Sequence, residues 1–576
     1  MSKRSARAIR AALVWCGGAL VAPAAVADLT IRGVDDDTET VLEAFVTIDE
    51  LPCDAPRWWV ERRHRQAPGE IRRGMETLGY YRSEQGGELS WDDDCWQASY
   101  RVEPGEPVRV QVFDLEVEGT LADEPRLQSV LRSLEIGPEE HFSHGAYENA
   151  KGDLLESAQS LGYFDASFIR HKVTVDPERN VADVELTLAG GQRYRIGEVR
   201  LEQSGLHDGL FRRFLRFESG EPYDARALTR TYQNLLESDY FDRVLVAPEL
   251  DERADGEVPV QVTAVARTRR SALLGAGYAT DTGPRARFDL RYRRVNDRGH
   301  RASFTSLISE VNGEIGAEYR IPYGDPTHEW LFVKGDIIYE DTDTARSLER
   351  GITVGRTHRR GEAWAETNYV EYTVEDFDVG DQEGTSQLML IGTSWARSTS
   401  IDVSRPTRGY AIGLDLRGAT RSLLSDNDLL QAIVRARQIV PLGERFRLLG
   451  RVQAGWTWQD EFENLPPSVR FFAGGDNSVR GYGYEELGPE EDGEVVGGKR
   501  LITGSLEIDA LIRPNWSVAA FVDTGSAYNS SPDFSTGVGL GVRWYSPLGP
   551  LRFDIAHPLD DPDRSVRFHI SLGPDL

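Results

Sequence analysis

Soft metal ligands are scarce in this chain of 576 residues, which has three cysteines, three methionines and ten histidines. So few exclude a disulfide-dense scaffold, and no cysteine pair has zinc spacing. Long apolar runs are missing too: beyond the N-terminus none approaches the ~20 residues of a membrane-spanning helix. Cations are outnumbered, with Lys+Arg 66 against Asp+Glu 94 and a formal net charge of −28. That balance argues against a nucleic-acid-binding surface. Covalent chemistry leaves no motif either: there is no His-Glu-x-x-His, no Gly-x-Ser-x-Gly elbow and no phosphate loop. His141 and His144 read as a solvated loop, not as metal ligands. The expectation is a non-enzyme with no catalytic residue, no cofactor and no metal.

What is present starts with a secretory leader over residues 1–27. Lys3, Arg4, Arg7 and Arg10 precede a short apolar run at 11–21, and Ala25-Val26-Ala27 forms a small-residue cleavage site before Asp28. Trp15 makes Cys16 a poor lipidation site. Loss of the leader leaves Cys53 and Cys95, an even pair in an exported protein, so a disulfide is the default and a pair of free thiols the alternative.

The first half repeats. Leu78-Gly79-Tyr80-Tyr81, Leu161-Gly162-Tyr163-Phe164 and Ser238-Asp239-Tyr240-Phe241 recur at intervals of about 80 residues, each closing a helical stretch. Leu228, Tyr232, Leu235 and Leu236 show the helical spacing before the third copy. Extended segments follow each copy, and the unit reads β-α-α-β-β, a small sheet with helices on one face. The aromatic pair after each helix is read as packing between helix and sheet.

From Ser271 onward the apolar period becomes two. Phe288, Leu290 and Tyr292 alternate with charged neighbours, as do Ile502, Leu506, Ile508 and Ala510, then Val518, Ala520 and Val522, then Val538, Leu540, Val542 and Trp544. The opposite face carries Thr503, Ser505, Glu507 and Asp509, or Arg552 and Asp554. About sixteen such segments, apolar on one face and charged on the other, fit a closed antiparallel barrel in lipid, where every backbone group must be paired. A large soluble β-sandwich or propeller is the alternative. Acidic runs at 375–383 and 485–494 read as solvated loop tips.

The longest gap between the later strands holds residues 471–484, FFAGGDNSVRGYGY. Gly474 and Gly475 permit positive φ, and Val479-Arg480-Gly481-Tyr482 offers one planar cation between flexible and aromatic neighbours. A second copy, Arg408-Gly409-Tyr410, reads as an ordinary strand start.

Three such repeats followed by a barrel carrying Val-Arg-Gly-Tyr resemble the outer-membrane protein-assembly superfamily, and within it the TamA family of the translocation and assembly module. The residues that carry the likeness are 471–484, Phe521-Val522-Asp523-Thr524-Gly525, and 537–559, GVGLGVRWYSPLGPLRFDIAHPL. The resemblance implies a transmembrane antiparallel β-barrel of about sixteen strands in the Gram-negative outer membrane, preceded by three periplasmic α+β modules of the POTRA type. Expected bounds are 28–106, 107–189 and 190–266 for the modules and 267–576 for the barrel. It further implies an insertase or translocase that works with a TamB-like inner-membrane-anchored partner on client outer-membrane proteins such as autotransporters, amid outer-membrane lipids. A two-partner-secretion pore and an intermembrane lipid-transport component are the alternatives. The three repeats favour TamA over secretion pores, which usually carry two.

By the same resemblance the Arg480 loop folds back into the barrel lumen, where a guanidinium needs a carboxylate. Parity on residues 517–523 points Phe521 and Asp523 inward, so Asp523 is the first choice, with Glu507 and Asp509 as fallback. Gly537, Gly539 and Gly541 lie on the same inner face, making room for the loop or curving the sheet. A weak lateral seam is expected between the first strand, with Gly275 and Gly277, and the last, with Phe568, Ile570 and Leu572.

Overall fold

The computed structural model describes residues 27–92, 95–361, 363–400, 405–459, 461–546, 549–561 and 566–572. The expected leader, including Cys16, falls outside them apart from Ala27.

Three small α+β units come first. The first has strand Asp28–Arg32, helices Asp36–Phe45 and Arg57–Thr77, and strands Glu84–Asp92 and Cys95–Glu103. The second repeats the order with Arg109–Glu118, Pro125–Ser133, His144–Ser160, Ser167–Asp176 and Val181–Ala189. In the third the elements are Arg195–Gln203, Asp208–Phe211, Ala225–Glu237, Phe241–Pro248 and Glu257–Ala266. Each sheet has its closing strand in the centre. Two helices start where a short polar side chain takes up a free amide: Thr38 N donates to Asp35 Oδ1 at 2.8 Å and Ala146 N to Ser143 Oγ at 3.1 Å.

Backbone conformation explains the repeated motif. Gly79 and Gly162 end their helices at φ 86° and 89°, and Asp239 does so at 58°. Such left-handed caps favour glycine and tolerate aspartate. Asp239 adds an ion pair, accepting from Arg293 Nε at 2.8 Å.

The described residues form two compact units, one of 27–198 with 219–226 and 250–259, the other of 199–218, 227–249 and 260–572. In the first, Leu42, Val60, Ile71 and Met75 pack with Trp96 and Tyr100 under the opening sheet. Cys53 and Cys95 are joined in a disulfide with Cα atoms 4.6 Å apart. The aromatic pairs pack as expected and also bridge modules. Tyr80 lies against the first core, whereas Tyr81 joins the second, its hydroxyl 2.9 Å from His144 Nε2. Phe164 meets Tyr223 edge-on, with centroids 4.8 Å apart. His144 opens a helix rather than lying in a loop.

In the second unit sixteen strands follow one another around a single antiparallel sheet, each paired to its sequence neighbours. They range from 19 residues, Gln382–Ser400, to 6 at the last, Arg567–Leu572. The outer surface carries Leu274, Phe304, Ile352, Leu506, Leu540 and Phe568, each more than a third exposed, while Asp289, Asp509, Asp523 and Asp554 are buried on the inner face. An apolar exterior around a charged interior is the arrangement lipid demands of a barrel. One barrel turn also contacts the third module, where Arg213 Nε donates to the Gly324 carbonyl at 2.7 Å. A strand does start at Gly409. The run 375–383 differs from expectation: Glu375 ends up buried in the wall, accepting from Ser468 Oγ, because its strand extends to Val379.

Adjacent positions test the faces. Phe304 points out to lipid, while Thr305 pairs across the sheet with Asp289 on the inner side. Phe304→Arg should lower folding yield in bilayers, at about 2–4 kcal/mol near the midplane and less towards the interfaces, and Thr305→Arg should not. Equal yields, measured by heat-modifiable gel mobility, would reject the assignment.

Candidate functional site

The loop between strands Phe446–Gln459 and Arg500–Arg513 folds inward as a braced hairpin. Phe471 and Gly498 exchange backbone hydrogen bonds at 2.9 and 2.7 Å, as do Ala473 and Leu487 at 2.9 Å each way. Arg470, buried at the root, donates to the carbonyls of Leu465 and Val496 at 2.7 and 2.9 Å and to Gln382 Oε1 at 2.6 Å. Gly474, Gly475 and Gly481 have φ of 105°, 97° and 103°, a conformation that turns the chain sharply at both ends of the motif.

At its tip every N–H of the Arg480 guanidinium has an acceptor. Nε and Nη2 grip the two oxygens of Asp523 at 2.6 and 3.0 Å, and the Arg480 backbone N–H adds a third bond to the same carboxylate at 3.1 Å. Nη1 donates to Glu507 Oε2 at 3.0 Å and to Asp554 Oδ2 at 2.9 Å, and Nη2 also reaches Ser505 Oγ at 3.4 Å. The guanidinium carbon lies 3.3 Å from the centroid of the Phe521 ring, adding a cation–π contact. Burial alone would lower the pKa of Arg480; the hydrogen bonds and charge of Asp523, with Glu507 and Asp554, hold it above its ordinary value.

Three strands supply these carboxylates: Glu507 from Arg500–Arg513, Asp523 from Trp516–Tyr528 and Asp554 from Gly549–Pro558. Arg543 neutralises the group further, with Nη2 2.9 Å from Glu507 Oε2 and Nη1 bonded to Asp554 Oδ1. Inner-face glycines leave the room this packing uses. A Cβ on Gly537 would collide with the Arg480 carbonyl, one on Gly539 with the Phe521 ring and one on Gly541 with the Asp554 carboxylate. Val479 is fully buried beside Gly525, and the hydroxyl of buried Tyr482 lies 3.5 Å from Asp560 Oδ2.

Of the sequence candidates, the structure therefore brings Arg480 to Asp523 and Glu507 but not to Asp509. Asp509 sits in a separate cluster, accepting from Arg447 Nη2 at 3.1 Å, Ser517 Oγ at 2.8 Å and Tyr545 OH at 2.7 Å. The reason is spacing: Asp509 is one inward step further along the strand than Glu507. Asp554 and Arg543 were missed as partners, although alternation placed Asp554 on the charged face and runs on from Gly541 to Arg543.

At the seam no ladder joins Arg270–Ala279 to Arg567–Leu572 among the described residues. Thr280 instead makes two bonds to Ile570, its N–H donating to the carbonyl at 3.4 Å and its Oγ1 accepting from the amide at 3.1 Å. Phe568 is exposed on the outer side and Ile570 half-buried, while the side chain of Leu572 lies outside the described set. A Cβ at Gly275 would meet only Arg287 Cβ at 3.7 Å, an ordinary contact, whereas at Gly277 it would come 3.0 Å from Arg285 Nε. Packing does not require glycine at 275, so its effect there is to loosen the strand. Burial and the neighbouring charge of Asp476 push the Asp281 carboxyl in the adjoining turn up to about 6.

Sixteen strands around a charged lumen, a loop pinned inside and small modules ahead define an outer-membrane barrel with its N-terminal modules in the periplasm. A family model described as the Omp85 superfamily domain matches residues 277–575, and one described as POTRA domain TamA domain 1 matches 28–104. The chain belongs to the Omp85 superfamily. It is 23% identical over 513 residues to the outer membrane protein assembly factor BamA of Nitratidesulfovibrio vulgaris, covering 84% of this chain and 64% of that one. It is 22% identical over 562 residues to BamA of Neisseria meningitidis serogroup B, covering 84% and 69%. The crystal structure of BamA from Haemophilus ducreyi lacking POTRA domains 1-3 shares the fold, with a TM-score of 0.63 at 17% identity over 81% of this chain and 99% of that one.

Removing the Arg480 side chain leaves buried carboxylates undercompensated, so Arg480→Ala should destabilise the folded barrel by about 3–5 kcal/mol. Lysine should rescue poorly, since a point charge cannot span two oxygens of Asp523 and reach Glu507. In double-mutant cycles on barrel unfolding, coupling should be largest with Asp523, smaller with Glu507 and Asp554, and absent with Asp509. Strict additivity of Arg480→Ala and Asp523→Ala would reject the pairing.

Proposed function

We propose that the protein is an outer-membrane insertase or translocase subunit that assists the assembly or secretion of outer-membrane proteins such as autotransporters, alongside a TamB-like inner-membrane-anchored partner. The observation that carries this reading is the seam: among the described residues, the first and last of the sixteen strands have no ladder between them. The unpaired edge of Arg270–Ala279 offers a client strand backbone donors and acceptors at the level of the lipid, where such groups cannot be left without partners. A client strand could add there without any bond chemistry, so no catalytic residue is invoked.

The modules extend the same principle into the periplasm. Ser167–Asp176 is an edge strand with Ile169 exposed, and Phe241–Pro248 is another with Leu245 exposed, so each can template an extended segment before it reaches the membrane. The match of residues 28–104 to a TamA first-domain model supports the TamB-like partner, and the expected leader supports export of the chain.

Locking the seam tests the proposal. Cysteines in place of Ala279 and Ser571, which flank the Thr280–Ile570 tie, should form a disulfide on oxidation. The locked barrel should stay folded in proteoliposomes yet lose assembly of a protease-protected autotransporter barrel, and reduction should restore it. Single-cysteine variants control for reduction of Cys53–Cys95. Full assembly by the locked form would exclude the seam as the client's route.

A further inference from the structure

Five residues from the motif's neighbours meet at one point on the seam. The Asp476 backbone N–H donates to Asp281 Oδ2 at 2.5 Å, just beyond the first strand. Asp476 Oδ1 accepts from Thr280 Oγ1 at 3.2 Å and lies 2.5 Å from Nδ1 of His569 on the last strand. Thr280 Oγ1 in turn accepts from the amide of Ile570 at 3.1 Å. His569 Nε2 accepts from the Gly481 amide at 2.9 Å, which places the ring proton on Nδ1, donated to Asp476. One carboxylate on the lumen loop thus takes hydrogen bonds from both sides of the seam. Its neighbour Gly475 has no room for a side chain, since a Cβ would come 2.6 Å from Asp281 Oδ2.

We propose that Asp476 is the positioning residue that holds the seam shut, so that the loop pinned by Arg480 also clasps the first strand to the last. The inference rests on the reading of the seam as the client's route, but its own content is conformational. Asp281, Asp476 and His569 also come close enough to suggest a cation site. The geometry favours the clasp, because metal on Nδ1 would leave a proton on Nε2 facing the Gly481 N–H, donor against donor. Elsewhere in the barrel strand ladders carry closure; here, where no ladder forms among the described residues, one backbone bond and two side-chain oxygens span the gap. Loss of Asp476 leaves only the two Thr280–Ile570 bonds across the gap and so favours parting of the strands, while the Arg480 cluster keeps its partners.

Nitroxide labels on cysteines replacing exposed Tyr278 and Phe568 read the distance across the seam in the full chain, with Cys53 and Cys95 occupied in their disulfide. The parent should give one short distance. Asp476→Ala should raise the separated population on the order of tenfold, as loss of a charge-assisted hydrogen bond predicts. Asp476→Asn should fall between the parent and the alanine variant, because it keeps an acceptor oxygen for Thr280 and His569 but loses the charge. Thr280→Val, which removes the hydroxyl bridging Asp476 and Ile570, should open the seam as Asp476→Ala does and stands in should the alanine variant fail to fold. An unchanged distance in Asp476→Ala and Thr280→Val overturns the clasp, and so does an asparagine variant that opens as widely as alanine. If the alanine variant opens while client assembly runs unchanged, the clasp stands and the seam's role in assembly falls.

Discussion

The guanidinium of Arg480 is the contact on which the lumen architecture depends. A loop of this length, entering a barrel from one end and braced only by short stretches of backbone pairing, pays the entropy of being ordered. Four side-chain bonds and one from the backbone amide, shared among carboxylates from three strands, with a fifth side-chain bond to Ser505, offset that cost at a single residue. Planarity is what allows this: the fork meets both oxygens of Asp523 edge-on while its face covers Phe521. The glycines at 537, 539 and 541 are the complement of that arrangement, because each vacates volume that the carbonyl of Arg480, the ring of Phe521 or the carboxylate of Asp554 occupies.

The barrel is asymmetric in how it is held. Around most of its circumference, ladders satisfy the backbone, as lipid requires. At the junction of first and last strands the ladder gives way to Thr280, Asp476 and His569, a tie made by the lumen loop. Backbone pairing is cooperative over many residues, whereas a few side-chain bonds can be exchanged one at a time. A structure that must stay sealed yet admit another strand is well served by placing the second kind of bond where the first is absent.

The modules solve a different problem. Each is too small to bury a large core, and the aromatic pair after each long helix shares packing between neighbours, Tyr80 inward and Tyr81 onward, then Phe164 against Tyr223. In the third copy the ring of Tyr240 lies under the guanidinium of Arg301, with the carbon 4.1 Å from its centroid, and its hydroxyl bonds the Gly299 carbonyl in a barrel turn. A motif that reads as simple helix-to-sheet packing thus also meets the following module or, in the third copy, a barrel turn.

Period and spacing were enough, in the sequence alone, to establish the repeats, the sixteen alternating segments and the inward direction of Asp523, because the two-residue pleat and the helical turn are local properties of the backbone. Local rules also placed Glu507, Asp509 and Asp554 on one face. They could not say which of these lies at the height of Arg480, since that depends on the stagger between strands and the depth to which the loop descends. Asp509 therefore looked as suitable as Glu507, yet it pairs with Arg447, and Arg543 entered the cluster unannounced. Glu375 looked like a loop tip because its acidic run is continuous, although the strand carries it into the wall. Asp476 stood in plain view within the motif, but its two partners, Thr280 and His569, are separated from each other by most of the barrel's chain. Only closure of the sheet brings the first and last strands together, and only the folded loop sets one carboxylate between them.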